Sequence, residues 1–254
     1  MSFNLSVVKL EYWLKQKEYK IPEIKMTIEE LKDSDYVEME KNNRILGRSF
    51  HHTFEKWFRK WGRIPTPQEF IAMQMQDVKK NFSNEGWKKN HKITFELTPV
   101  VEKGIKQRLL RSYISFINEL HTELLIQEEF PNLIIKRNDE LDFAGIDLLV
   151  IDKKNQIEHK IHITKNSECA IDFLFKKEGK RLEFRGYISN VWAVPKWKKV
   201  NHGIYRERNF AGHTFLLYGA RSNAETRIIN GYPLFRKEYV VNKILVNTEL
   251  RKGA

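Results

Sequence analysis

The chain has 254 residues, 41% hydrophobic and 12% aromatic, with 12 Gly and 7 Pro, which supplies a core and excludes the composition of a disordered chain. Lys and Arg number 45 against 33 Asp and Glu; the formal net charge of +12 favours a polyanionic partner, either nucleic acid or an anionic membrane surface. The single cysteine, Cys169, excludes an internal disulfide framework and a cysteine-based zinc cluster. No run approaches the roughly 18 apolar residues of a membrane span, so a cytoplasmic protein with no membrane partner is expected.

Turn signals and hydrophobic period divide the chain near residue 95. Residues 1–95 read as helical and basic. "VVKLEYWLKQ" has helical spacing, "TIEELKDS" opens with a Thr27/Glu30 capping box, and "GRSFHHTFEKWFRKWG" ends at Gly62. The next helix, "TPQEFIAMQMQDVKKNF", has Thr66 as N-cap, Pro67 in its first position and Glu69 three residues in. This two-helix order resembles helix-turn-helix modules, and on that resemblance Trp57, Arg59, Lys60, Trp61 and Arg63 are expected phosphate or groove contacts. Core packing with a solvated rim is the equal alternative. His52 and Glu55 have the spacing of metal ligands, but with no second half-site a structural or surface role is expected.

Residues 96–254 begin with a long helix in which Val101, Ile105, Leu109, Tyr113, Phe116, Leu120 and Leu124 form one stripe. Three β-branched runs follow, "NLIIKR", "AGIDLLVID" and "IEHKIHI", then a helix, "SECAIDFLFKKEG", strands in "YISNVWAV" and "HTFLLYG", and a helical turn after Ser222. The segment "VPKWKKVNHGIYRERNF" gathers Lys196, Trp197, Lys198, Lys199, Arg206 and Arg208, a set suited to clamping a phosphate backbone and stacking on bases. A solvated loop is the plainer reading.

The chemistry concentrates in the two middle strands. A four-residue loop over residues 152 to 155 sets Asp147 opposite Lys160 and diagonal to Glu158; a turn centred on Asp152 and Lys153 sets Asp147 opposite Glu158. In either register the three share one face, while Ile157, His159, Ile161 and Ile163 point into packing. Two neighbouring carboxylates repel unless a divalent cation lies between them, which suits Mg²⁺, and a nearby lysine can hold the attacking water and offset charge on a phosphate.

"GID" at 145 to 147 and "EHK" at 158 to 160, on consecutive strands after a long helix, resemble the PD-(D/E)XK nuclease superfamily, over about residues 98 to 219. The resemblance implies a restriction-endonuclease-like αβββαβ core behind a helical N-terminal region. It also implies Mg²⁺-dependent DNA cleavage, with Mn²⁺ as a substitute ion, Asp147 and Glu158 as metal ligands and Lys160 as the catalytic lysine. A glutamate of the preceding helix, Glu119 or Glu123, would support the site, with Glu119 preferred. Ile146 stands where the motif's name has proline.

The expected function is therefore a Mg²⁺-dependent DNA endonuclease of restriction type, acting as a homodimer or within a larger nucleoprotein complex. The rival from another class is a non-enzymatic DNA-binding regulator using the helix-turn-helix-like region; a transposon or recombination nuclease subunit is a further alternative. Against the site stands the plainer possibility that Glu158 and Lys160 are a solvated strand face, weakly paired at best, or a degenerate nuclease core that only binds DNA. His162, on the Lys160 face, is expected to be a packed or surface histidine.

Overall fold

A computed structural model describes residues 5–41, 50–137, 141, 146–154, 157–165, 198–200, 204–206, 213–219 and 221–249. The chain forms two compact units, one of Trp13–Phe116 and one of Met1–Tyr12 with Ile117–Ala254. The division falls inside the long helix. The first half of this helix packs into the helical core, where Tyr113 and Phe116 meet Phe54.

Among its described residues the helical unit contains the end of α1 (Val7–Leu14), the 3-10 turn Lys17–Tyr19, α2 (Ile28–Leu31), α3 (Ser34–Lys41), α4 (Phe50–Trp61), α5 (Pro67–Phe82), α6 (Glu85–Asn90) and the first part of α7 (Pro99–Glu129). The capping boxes at Thr27/Glu30 and Thr66/Glu69 both form as their sequences predict. Gly62, at φ +65°, ends α4 in the left-handed conformation that glycine adopts without strain. The core is aromatic. Phe54 stacks on Phe116 with ring centres 4.1 Å apart and meets Phe70 and Tyr113. Two buried hydroxyls reach the α4–α5 connection, Tyr19 donating to Ile64 O at 2.7 Å and Tyr113 to Pro65 O at 2.6 Å. The turn is thus held by bonds from residues distant in sequence.

The sheet unit combines α1 residues up to Tyr12, the remainder of α7, the sheets and α8 (Lys237–Glu249). Its four-stranded sheet has the order β1 (Ile134–Lys136), β2 (Leu148–Asp152), β3 (Ile157–Lys165), β6 (His213–Tyr218). The first three strands are an antiparallel meander, and β6 runs parallel to β3. A parallel pair needs a long crossover, and residues 166–212 supply it. Within that stretch the helix expected at 167–179 and the strand at 187–194 lie outside the described residues. The hairpin β4 (Lys198–Val200) with β5 (Ile204–Arg206) does fall among them.

Alternation assigns Leu148, Val150, His159, Ile161 and Ile163 to one face, and all five are at most 5% exposed. The expected helical turn after Ser222 is instead a hairpin of β7 (Thr226–Ile229) and β8 (Tyr232–Phe235), with Ile229 paired to Tyr232. Asn230 and Gly231, at φ +48° and +96°, make a two-residue turn whose left-handed dihedrals this dipeptide tolerates. Asn230-Gly231 is the turn signal that the sequence carries for this hairpin.

Candidate active site

The hairpin register decides what the candidate residues can do together. Asp152 pairs with Ile157, Ile151 with Glu158 and Leu149 with Lys160, so the connection is residues 153–156, one position later than the expected loop. Asp152 causes the displacement. Its Oδ1 accepts from Lys154 N at 3.0 Å, an Asx turn that keeps Asp152 as the last residue of β2. Moving the loop by one position moves every cross-strand partner by two. Asp147 therefore stands at the level of His162, opposite neither Lys160 nor Glu158.

Two bonds fix Asp147 there. Its amide donates to Ile161 O at 3.1 Å, and its Oδ2 accepts from Ile163 N at 2.5 Å. The carboxylate takes the place of a backbone carbonyl where β2 has not yet begun. Alternation continued from Ile151 and Leu149 keeps Asp147 on the face of Glu158, Lys160 and His162. Lys160 is one pleat away, the diagonal relation. Glu158 is four residues distant, which at the rise of a strand is about 13 Å.

Burial follows the same gradient. Glu158 is exposed beside the loop, Lys160 and Asp147 are half-buried, and His162 is 2% exposed, stacked on Phe215 with ring centres 4.7 Å apart. His162 is a packing residue.

The two helix acids are both on α7. Glu123 is 6% exposed, and its Oε2 lies 3.1 Å from Arg137 Nε, directly after β1, an enclosed ion pair joining α7 to the sheet. Glu119 is half-buried on the same helix. Sequence reasoning passed over Arg137 because nothing local marks a cation that finds its partner fourteen positions back. It also passed over Glu11, which accepts from the enclosed His121 Nε2 at 2.9 Å and bonds Arg227 as well.

The proposed nucleic-acid contacts divide by what holds them. Arg63 is fixed by a two-pronged bond to Glu69 at 2.6 and 2.7 Å and a third bond to Ile64 O at 3.1 Å. Glu69 pushes the Arg63 pKa upward, and Arg63 in turn is the main cause that holds the Glu69 carboxyl below its usual range. Arg63 therefore supports its neighbours and does not reach outward. Arg59 and Lys60 are exposed, Arg59 bonded to Glu55 at 2.5 Å and Lys60 4.8 Å over the Trp61 ring. In the β4–β5 hairpin the register sets Lys198 opposite Arg206 and Lys199 opposite Tyr205. Lys196, Trp197 and Arg208 lie outside the described residues.

An ion shared by Asp147 and Glu158 does not fit this geometry. Oxygens on one Mg²⁺ stand about 2.1 Å from it, and side chains rising from positions about 13 Å apart along a sheet do not meet that condition. Among the described residues no three His, Cys, Asp or Glu side chains are grouped to hold a metal ion. Compared with family models, with curated proteins and with solved structures, the chain matches none. The described residues define a mixed α/β protein, and none of their helices is long and apolar enough to cross a membrane.

Proposed function

We propose that this chain is a DNA phosphodiesterase, an endonuclease of restriction type, with a restriction-endonuclease-like core. The observation that carries the reading is the order α7, antiparallel β1–β2–β3, then β6 parallel to β3, with Asp147 and Lys160 on the middle hairpin. In the hydrolysis, water attacks phosphorus, the bond from phosphorus to the leaving oxygen breaks, and that oxygen takes up a proton. Lys160 offsets the charge that develops on the phosphate, and a cation held in a half-buried position does so more strongly than one in bulk water. The Ile163 amide orients Asp147.

Mg²⁺, or Mn²⁺ in its place, is the cofactor that the superfamily resemblance implies, and an acid of α7, Glu119 before Glu123, would support Asp147. The +12 charge supports a polyanionic substrate. Action as a homodimer or in a larger nucleoprotein complex belongs to the same reading.

Plasmid DNA incubated with Mg²⁺ or Mn²⁺ over a range of pH tests it. Nicking or linearisation is expected, lowered about 100-fold or more in Asp147→Asn and in Lys160→Ala. No cleavage under any condition, or cleavage unchanged in both variants, rejects this assignment. A second reading, a DNA-binding regulator, draws on α4, the Gly62 turn and the capped α5; DNA retarded in a gel and never cut is its signature.

A further inference from the structure

The end of α4 carries an aromatic and basic ladder. Trp61 is 53% exposed, and Lys60 Nζ lies 4.8 Å from its ring centre. Trp57 sits beside it, with ring centres 5.9 Å apart and planes at 41°. The Arg63 guanidinium lies 5.6 Å from the Trp57 ring. Arg63 is itself immobilised by Glu69, which closes the capping box of α5 with Thr66. Trp57, the ring beneath Trp61, is thus backed by an arginine that a helix cap holds. At Gly62, next to Trp61, nothing lies within 4 Å of where a Cβ would stand, so the adjoining space is open.

We propose that Trp61, supported by Trp57, is a stacking platform for an unpaired nucleobase, with Lys56, Arg59 and Lys60 meeting the flanking phosphates. The face then binds single-stranded nucleic acid. Lys56, Arg59 and Lys60 are all exposed, and Glu55 is the one acid of α4. The Arg59–Glu55 pair has its arginine side chain 77% exposed, the kind of surface pair that contributes little and yields readily to a phosphate. Phosphate contact alone needs no exposed tryptophan. A base in a duplex has its faces covered by its neighbours, so a ring stacks on one only where the strand is open. An anionic membrane would call for an apolar helix face, whereas the exposed residues around Trp61 on α4 are charged. The proposal rests on the nucleic-acid reading above and not on cleavage.

The test is a titration of the full chain in EDTA, so that binding is measured apart from metal-dependent cutting. One arm uses an oligothymidylate of about 15 nucleotides, near the upper end of single-strand site sizes. The others use a DNA hairpin duplex and phosphatidylserine vesicles. The expected result is quenching of tryptophan fluorescence by the oligothymidylate, binding roughly ten-fold weaker in Trp61→Ala and less affected in Trp61→Phe, and duplex binding unchanged in both. Single-strand binding undiminished in Trp61→Ala overturns the proposal. So does an equal loss for single strand and duplex, or quenching by the vesicles alone. Circular dichroism melting checks that both variants keep the fold. A chain that never cuts DNA can still pass this test, and an active nuclease can fail it, so the two proposals fall separately.

Discussion

Asp147 does two things at once: it ends the β2–β3 ladder and it carries the acid of the proposed site. Its Oδ2 stands in for a backbone acceptor to Ile163 N, so Asp147→Asn keeps the side-chain shape and one acceptor but loses the charge. Glu158, exposed at the loop end and opposite Ile151, has no part in that arrangement. The variants should therefore separate. Glu158→Gln is expected to retain cleavage within about two-fold, the range of ordinary surface substitutions, while Asp147→Asn loses it. Equal losses in plasmid assays of the two variants would show that the hairpin works in another register.

A second residue-scale prediction concerns His121, which is fully enclosed with Nε2 at 2.9 Å from Glu11. Burial pushes its pKa below the ordinary value near 6.5, and the Glu11 hydrogen bond only partly opposes this. As pH falls below that ordinary value, the unfolded chain takes up the proton while the folded chain resists it. His121 is thus without penalty above about pH 6.5 and increasingly destabilising as pH falls toward the depressed folded value. Urea midpoints are expected to decline from pH 7 to 5, and His121→Gln to flatten that part of the profile.

Among the elements, α7 shows how a helix is shaped by what lies against it. Its stripe from Val101 to Leu124 is buried throughout, as the period of the sequence predicts. Gly104 interrupts a helix where alanine has the better propensity. A Cβ there would come within 2.7 Å of Met39 Cε and of the Tyr36 ring, so the glycine is required by the close approach of α3. Gly104→Ala should accordingly destabilise the chain by about 1–3 kcal/mol, against the direction of helix propensity, measured by urea unfolding. A stabilised variant would show that α3 can withdraw without loss.

The cap of α5 reaches further than its own helix, since Glu69 also binds Arg63. Thr66→Ala is expected to cost about 1 kcal/mol in thermal unfolding, with a smaller effect for Thr27→Ala at the exposed single turn α2. The capping boxes were legible because they lie within four consecutive residues. The β7–β8 hairpin carried a turn signal in Asn230-Gly231, which the expectation of a helical turn after Ser222 passed over.

For the whole molecule the charge of +12 sets a long-range preference that does not depend on any one contact. Binding to DNA should weaken by roughly 100-fold or more between 50 and 200 mM salt, read by anisotropy, as several phosphates release their counterions. A flat dependence would detach the charge from DNA binding. The charges of the interior behave differently: Arg137 and Glu123 are enclosed together, so removing Arg137 alone leaves a carboxylate without its cation and is the more damaging change.

The sequence by itself determined α1, α2, α4, α5 and α7 with two capping boxes, the meander of short strands after a long helix, and the sharing of one strand face by Glu158 and Lys160, because period and capping act over a few residues; α3, α6 and α8 were not read from it. Only the tertiary structure decided the register of β2 against β3, which an Asx turn at Asp152 displaced by one position and which separated Asp147 from Glu158. It alone also decided which cations were taken: Arg63 by Glu69, Arg137 by Glu123 and Arg227 by Glu11. The reason is common to both. A carboxylate's partner is chosen by distance in space, and spacing along the chain carries that distance only within a single helix turn or a single tight hairpin.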